Sequence, residues 1–187
     1  MEFLYIILLL AGFVLFYGIV IFNKLVKTRQ LVEEGWSGID VQLKRRANLI
    51  PNMLETVKGY MSHEAGTLQA VTEARAAVQN AGNASPGERS GLEGILSGAL
   101  GKLMAVAESY PDLKANTNFL EFQSTLQSVE DEIQLSRRYY NGSVRNMNVA
   151  VESFPSNLVA NNFGFIQAEY FELENEADRA VPEVKFS

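Results

Sequence analysis

The sequence predicts an all-α protein: an N-terminal transmembrane helix followed by an antiparallel, up-down bundle of three to four long helices. Three observations carry this reading. Phe3 to Phe22 is a run of twenty residues without a charge. Beyond it, apolar residues recur at 3- and 4-residue steps, the spacing that gathers them on one face of a helix. No segment before residue 155 alternates with the period of 2 that a half-buried strand needs.

The first element is the apolar run. At about 1.5 Å per residue it makes a helix of roughly 30 Å, the thickness of a bilayer's hydrocarbon core. Gly12 and Gly18 are poor choices in a soluble helix and are tolerated in a membrane one. A cleaved secretory signal has a basic start, a shorter apolar core and a small-x-small site. Here no Lys or Arg precedes the run, the core is longer, and Asn23-Lys24-Leu25-Val26 offers no such site, so a retained signal-anchor is expected. Lys24, Lys27 and Arg29 follow the run, whereas only Glu2 precedes it. The positive-inside bias then places the N-terminus outside the cell membrane and the rest of this single-pass chain in the cytoplasm.

Next comes a seam of the coiled-coil type. Trp36, Leu43, Ile50 and Val57 share one heptad position, and Val32, Ile39, Met53 and Tyr60 share its companion, where Arg46 interrupts the row. Because the register passes through Pro51, that proline is expected to kink a helix rather than end it. Leu68, Val71, Ala74 and Val78 extend the stripe, so residues 24 to about 80 read as one long helix, and its continuity with the anchor is left open. Residues 81–90 hold Gly82, Asn83, Ser85, Pro86 and Gly87 and form a turn. A shorter helix follows, with Leu92, Ile95, Leu96, Leu100, Leu103, Met104 and Ala107 on its apolar face, and Tyr110-Pro111-Asp112 ends it. The last helix has the clearest seam: Phe119, Phe122, Leu126, Val129, Ile133, Tyr140, Val144, Met147, Val151 and Phe154, with Ser136 filling one slot. Asn118 and Glu121 make an N-cap pair, and Phe154-Pro155 closes the helix. Phe163-Gly164-Phe165 and Val181 to Phe186 are expected to cover one end irregularly. The domain division is therefore 1–23 anchor, 24–165 helical bundle and 166–187 acidic tail.

Composition limits the functions open to this chain. Cysteine is absent, which excludes disulfides, thiol chemistry and cysteine-metal sites. A formal net charge of −6 argues against a nucleic-acid partner. The charge is uneven, with a net of +3 from Asn23 to Tyr60 (seven basic, four acidic) and −4 from Pro155 to Ser187 (two basic, six acidic). The basic part lies next to the membrane, where anionic headgroups attract it.

Several strings carry a family resemblance. Trp36-Ser37-Gly38-Ile39-Asp40-Val41-Gln42-Leu43-Lys44-Arg45-Arg46, Asn48-Leu49-Ile50-Pro51-Asn52 and Glu55-Thr56-Val57-Lys58-Gly59-Tyr60 resemble the bacterial LemA family. So do Ala107-Glu108-Ser109-Tyr110-Pro111-Asp112-Leu113-Lys114-Ala115-Asn116, Arg137-Arg138-Tyr139-Tyr140-Asn141 and Phe154-Pro155-Ser156-Asn157. The resemblance implies a single-pass membrane protein with a cytoplasmic-type helical bundle and no established enzymatic activity.

No chemistry-bearing constellation emerges. Ser62-His63-Glu64 matches the phospho-acceptor block of sensor kinases in three residues, but Ala65-Gly66-Thr67 follows it and no Gly-rich nucleotide-binding domain is present, so His63 reads as a solvated helix histidine. Glu130, Asp131 and Glu132 are consecutive, point around a helix and cannot converge on one metal ion; they read as a solvated face or as partners of Arg137, Arg138 and Arg145. Gly91, Gly94, Gly98 and Gly101 either let a neighbouring backbone or second subunit approach or mark a loose helix. Lys44-Arg45-Arg46 is basic, and Arg46, lying in the seam, is expected to pair with a carboxylate inside the bundle and fix its register. Asn83-Ala84-Ser85 and Asn141-Gly142-Ser143 match glycosylation sequons that mean nothing on a cytoplasmic domain.

The expected function is that of a membrane-anchored scaffold or interaction module, not an enzyme, with no catalytic, cofactor or metal residues. Its partners are the lipid bilayer, through Phe3 to Phe22, and other proteins, with self-association left open by the glycine stripe. The alternatives are a signalling component of the sensor-kinase type, centred on His63, and a hydrolase using carboxylates such as Asp40 and Glu108.

Overall fold

The computed structural model describes residues 1–82 and 84–172. Among these the regular structure is all helical, without a strand: α1 Glu2–Lys58, α2 Ala65–Asn80, α3 Pro86–Ala107, α4 Pro111–Lys114, α5 Thr117–Glu152 and α6 Ser156–Phe163. The all-α bundle with one long apolar N-terminal helix is as predicted. The chain divides into two compact units. Helices α1 and α5 each supply residues to both.

Unit 1 comprises Met1–Asp40 and Leu135–Tyr170. Its core holds Ile21, Leu25, Met147, Ala150, Ala160 and Phe165, with Phe22, Val32 and Val159 packed against it. Aromatic contacts dominate: Phe22 meets Phe163 edge-on at 4.9 Å and Phe165 at 5.6 Å, and Trp36 lies 5.6 Å from Tyr140. Such ring pairs contribute about 0.5–1.5 kcal/mol beyond area burial. The helices approach closely at Gly35, where an added Cβ would stand 3.0 Å from the Tyr140 Cα. Past α6, Gly164 takes the left-handed conformation (φ 70°) that caps a helix. The following segment returns along α5, where Asn148 Nδ2 donates to the Ala168 carbonyl at 3.0 Å and its Oδ1 accepts from the Ala168 amide at 2.8 Å.

Unit 2 comprises Val41–Gln134 together with Phe171 and Glu172 among the described residues. Ile50, Met53 and Val57 of α1, Val71 and Val78 of α2, Leu96, Leu100 and Leu103 of α3, Leu113 of α4 and Phe119, Phe122 and Leu126 of α5 form one core. A side chain of this size contributes about 1.5–3 kcal/mol when fully buried. Helix α3 starts with a capping box: Ser85 accepts from the Glu88 amide while the Glu88 carboxylate accepts from the Ser85 amide.

Several expectations need correction. The helix expected over 24 to about 80 ends at Lys58 and restarts at Ala65. Gly59 and the turns that follow reverse the chain, letting α2 bury Thr67, Val71, Ala74 and Val78. The helix does run through Pro51. The turn after α2 is shorter than 81–90, because Ser85 already caps α3. The N-cap of α5 is Asn116, whose Oδ1 accepts from the Asn118 and Phe119 amides. The α5 seam is buried from Phe119 to Met147 with Ser136 at its edge, but Phe154 lies beyond the helix and is exposed, as are Ile95 and Tyr60. In the expected C-terminal cover, Phe165 is buried; Val181 to Phe186, and most of the acidic tail 166–187, lie outside the described residues.

Candidate functional site

Two surfaces of opposite character stand out, one in each unit. In unit 1 it is the apolar run. Phe3 to Val20 project large side chains that are almost all exposed. The same helix passes without a break into Leu25, which is fully buried. A helix that is apolar all round, and uncovered by protein, requires an apolar medium. One helix of the described chain is long and apolar enough to cross a membrane, and it is this one. Lys24, Lys27 and Arg29 follow at the end of the run, and the Arg29 guanidinium sits 5.4 Å above the Phe165 ring.

In unit 2 it is a buried charge cluster around Arg46. This side chain is 2 % exposed. Its Nη1 donates to Glu130 Oε1 at 2.7 Å and to Ser97 Oγ at 2.8 Å. Its Nη2 donates to the Glu93 carboxylate and, at 3.3 Å, to the Glu93 carbonyl. Glu93 is 1 % exposed and its other oxygen accepts from Arg89 Nε at 3.1 Å. Arg89 also donates to the Ala81 carbonyl at the end of α2. Two arginines and two glutamates thus balance, with Glu130 at the solvent edge. Buried charge is tolerable only when paired and hydrogen-bonded in this way. The cluster ties α1, α3 and α5 through charge pairs and the end of α2 through the Ala81 carbonyl, so a slip of α1 against α3 would part Arg46 from Glu93.

The expected pairing of Arg46 with a bundle carboxylate is therefore observed. Its partners are Glu93, which sequence reasoning missed, and Glu130, which the sequence places on a solvated face or beside Arg137, Arg138 and Arg145. A signal was available: Arg89 and Glu93, four residues apart, precede Leu96, Leu100 and Leu103 on the same stripe of α3. Lys44 and Arg45 are exposed.

The remaining candidates stay apart. His63 is exposed but sits in the turn between α1 and α2, not on a helix. Glu108 pairs with Lys114 at the surface. Among the described residues no group of three His, Asp or Glu side chains is placed to hold a metal ion. Gly91, Gly98 and Gly101 face open space within this chain. In unit 1 the Tyr140 hydroxyl donates to the Glu169 carbonyl at 2.7 Å. Burial, reinforced by the Glu169 carboxylate, pushes this phenol up to about 12.

The LemA family model matches residues 35–186 of this chain. The chain belongs to the LemA family. Among curated relatives, Protein LemA of Metamycoplasma hominis is 29 % identical over 152 residues, covering 80 % of this chain and 68 % of that protein. Magnetosome protein MamQ of Magnetospirillum gryphiswaldense and Magnetosome protein MamQ 1 of Paramagnetospirillum magneticum are each 24 % identical over 184 residues, covering 86 % of this chain and 68 % of the relative. None of these names specifies a reaction.

Proposed function

We propose that this LemA-family chain is a single-pass membrane protein whose bundle serves as a non-catalytic scaffold, offering its surface to other proteins or to lipid headgroups. The observation that carries this is the uncovered apolar run of α1 leading directly into a packed helical core. Residues 1–23 act as the anchor, 24–165 as the bundle and 166–187 as an acidic C-terminal tail. Lys24, Lys27 and Arg29 favour a cytoplasmic bundle and an outside N-terminus in the cell membrane. The clustered charges of unit 2 fit structure better than catalysis, because Arg46 and Glu93 are occupied by each other and shut off from solvent.

Crosslinking in native membranes tests the scaffold reading. Defined protein partners should be captured through bundle positions and lost when the bundle is deleted. Capture of the chain alone, with and without its bundle, would overturn it. A reporter fused after Ser187 should behave as cytoplasmic, and cleavage of the tail by protease outside intact cells would reverse the orientation. Phosphate incorporated at His63 from ATP would restore the signalling alternative, and a hydrolase activity lost on Asp40→Ala or Glu108→Ala would restore the enzymatic one.

A further inference from the structure

Unit 1 carries apolar surface beyond the span, and its position beside the span indicates what covers it. From Ser153 to Ala168 the chain has no Asp, Glu, Lys or Arg. Within this stretch Phe154 is 80 %, Leu158 56 % and Phe163 65 % exposed, and Ile166 is also exposed. In water such side chains forgo the stabilisation that burial gives. The same stretch lies against α1. The Phe163 ring meets Phe22 at 4.9 Å, and Val159 and Phe163 share an apolar groove of about 390 Å³ with Leu15, Gly18, Ile19 and Phe22.

Those four α1 residues belong to the charge-free run. Leu15 precedes Phe22 by two helical turns, or about 10 Å along the axis. A bilayer that surrounds Phe3 to Phe22 therefore also surrounds whatever is packed beside Leu15 to Phe22. Resting on the reading of that run as a membrane span, we infer that α6 and its flanking turns are a second membrane element. Phe154, Leu158 and Phe163 enter the edge of the hydrocarbon, and a lipid acyl chain fills the groove between α6 and α1.

Most of the local hydrogen bonding suits that medium, which leaves no water for unpaired polar groups, with Asn157 Oδ1, buried without a partner, as the exception. Ser156 Oγ donates to the carbonyls of Ala150 and Ser153, and the Phe165 amide donates to the Ala160 carbonyl. Asn161 and Asn162 are exposed and polar, which holds the helix at the headgroup boundary in the manner of an interfacial amphipathic helix. Lys24, Lys27 and Arg29 come next along α1, at the level of the phosphates.

The absence of cysteine permits a direct test. Leu9→Cys, Leu158→Cys, Phe163→Cys and Gln127→Cys variants of the full chain, each carrying an environment-sensitive fluorophore, are reconstituted into phosphatidylcholine–phosphatidylglycerol vesicles. Quenchers are placed at shallow and deep acyl positions. Leu9 reports the span and Gln127 the aqueous bundle. Positions 158 and 163 should be quenched several-fold more strongly than 127, and by the shallow quencher more than the deep one. Quenching at 9, with 158 and 163 indistinguishable from 127, overturns the inference and leaves the span intact. No quenching at 9 overturns both. Leu158 is 56 % exposed, so its variant keeps the test valid should Phe163→Cys disturb the corner.

Discussion

Unit 1 closes its core with aromatic rings and a glycine contact, whereas unit 2 encloses Arg46, Glu93 and Arg89 among aliphatic side chains, with Glu130 at the edge. The difference reflects what each must specify. Ring pairs and the close approach at Gly35 fix shape, and they suit a unit whose outer surface is itself apolar. Stacked leucines and isoleucines on four helical segments tolerate sliding by a turn. The charge cluster does not, since a shift of α1 against α3 parts the buried Arg46 from Glu93.

The comparison is open to four tests on the detergent-solubilised full chain. The largest effect should come from Glu93→Leu, which removes the fully buried carboxylate shared by Arg46 and Arg89; the expected loss of unfolding free energy is about 3–5 kcal/mol. Replacing Arg46, Arg89 and Glu93 together by Met or Leu should recover most of that loss, read as the midpoint of a denaturant titration. A Glu93→Leu loss below that of Gly35→Ala would break the contrast between the units.

Gly35→Ala comes next. Its Cβ would meet the Tyr140 Cα at 3.0 Å, and overpacking of this kind costs about 1–3 kcal/mol. A neutral result would show that α1 and α5 yield there and that shape is specified elsewhere.

Tyr140 gives a pH signature. Its phenol, ordinarily near 10.0, is raised to about 12 in the fold. Below pH 10 it is protonated whether folded or not, and its contribution is fully present. As pH rises past 10 the unfolded phenol ionises while the native one keeps its proton, so stability falls; the contribution is gone once pH passes about 12. Tyr140→Phe should remove this part of the alkaline decline, measured as the difference in melting temperature between the two proteins across that window.

The smallest effect is expected at Asn116→Ala, which removes the acceptor for the Asn118 and Phe119 amides at the start of α5. Loss of an N-cap costs about 1 kcal/mol. Amide exchange at Asn118 and Phe119 should accelerate, and unchanged exchange would reassign the cap.

Much of this architecture was legible in the sequence because periodicity reports burial. The α5 seam from Phe119 to Met147 and the α1 seam through Ile39, Leu43, Ile50, Met53 and Val57 are buried as spaced. Periodicity does not report where a chain reverses: α2 continues the stripe of α1 in almost the same phase, which hid the break after Lys58. The stop signal was nonetheless present, a basic residue in the last turn followed by Gly59. For Arg46, the seam position showed that a partner was needed, but the partner's identity depends on which helices become neighbours. Phe154 was misplaced because its spacing extends the α5 seam past the point where the helix has ended. Once outside the helix, the same residue turns from core into surface.

The contact between Phe22 and Phe163 has a consequence for the bilayer itself. The N-terminal end of the span presents its leaflet with one helix, about 10 Å across. The C-terminal end presents the same helix with α6 at its side. With α6 inserted as inferred above, the two leaflets would yield unequal area to one molecule, and the membrane-embedded part of unit 1 would taper. A tapered inclusion packs with least stress where the membrane bulges toward its wider end, so this chain should crowd onto curved patches and thin out on flat ones.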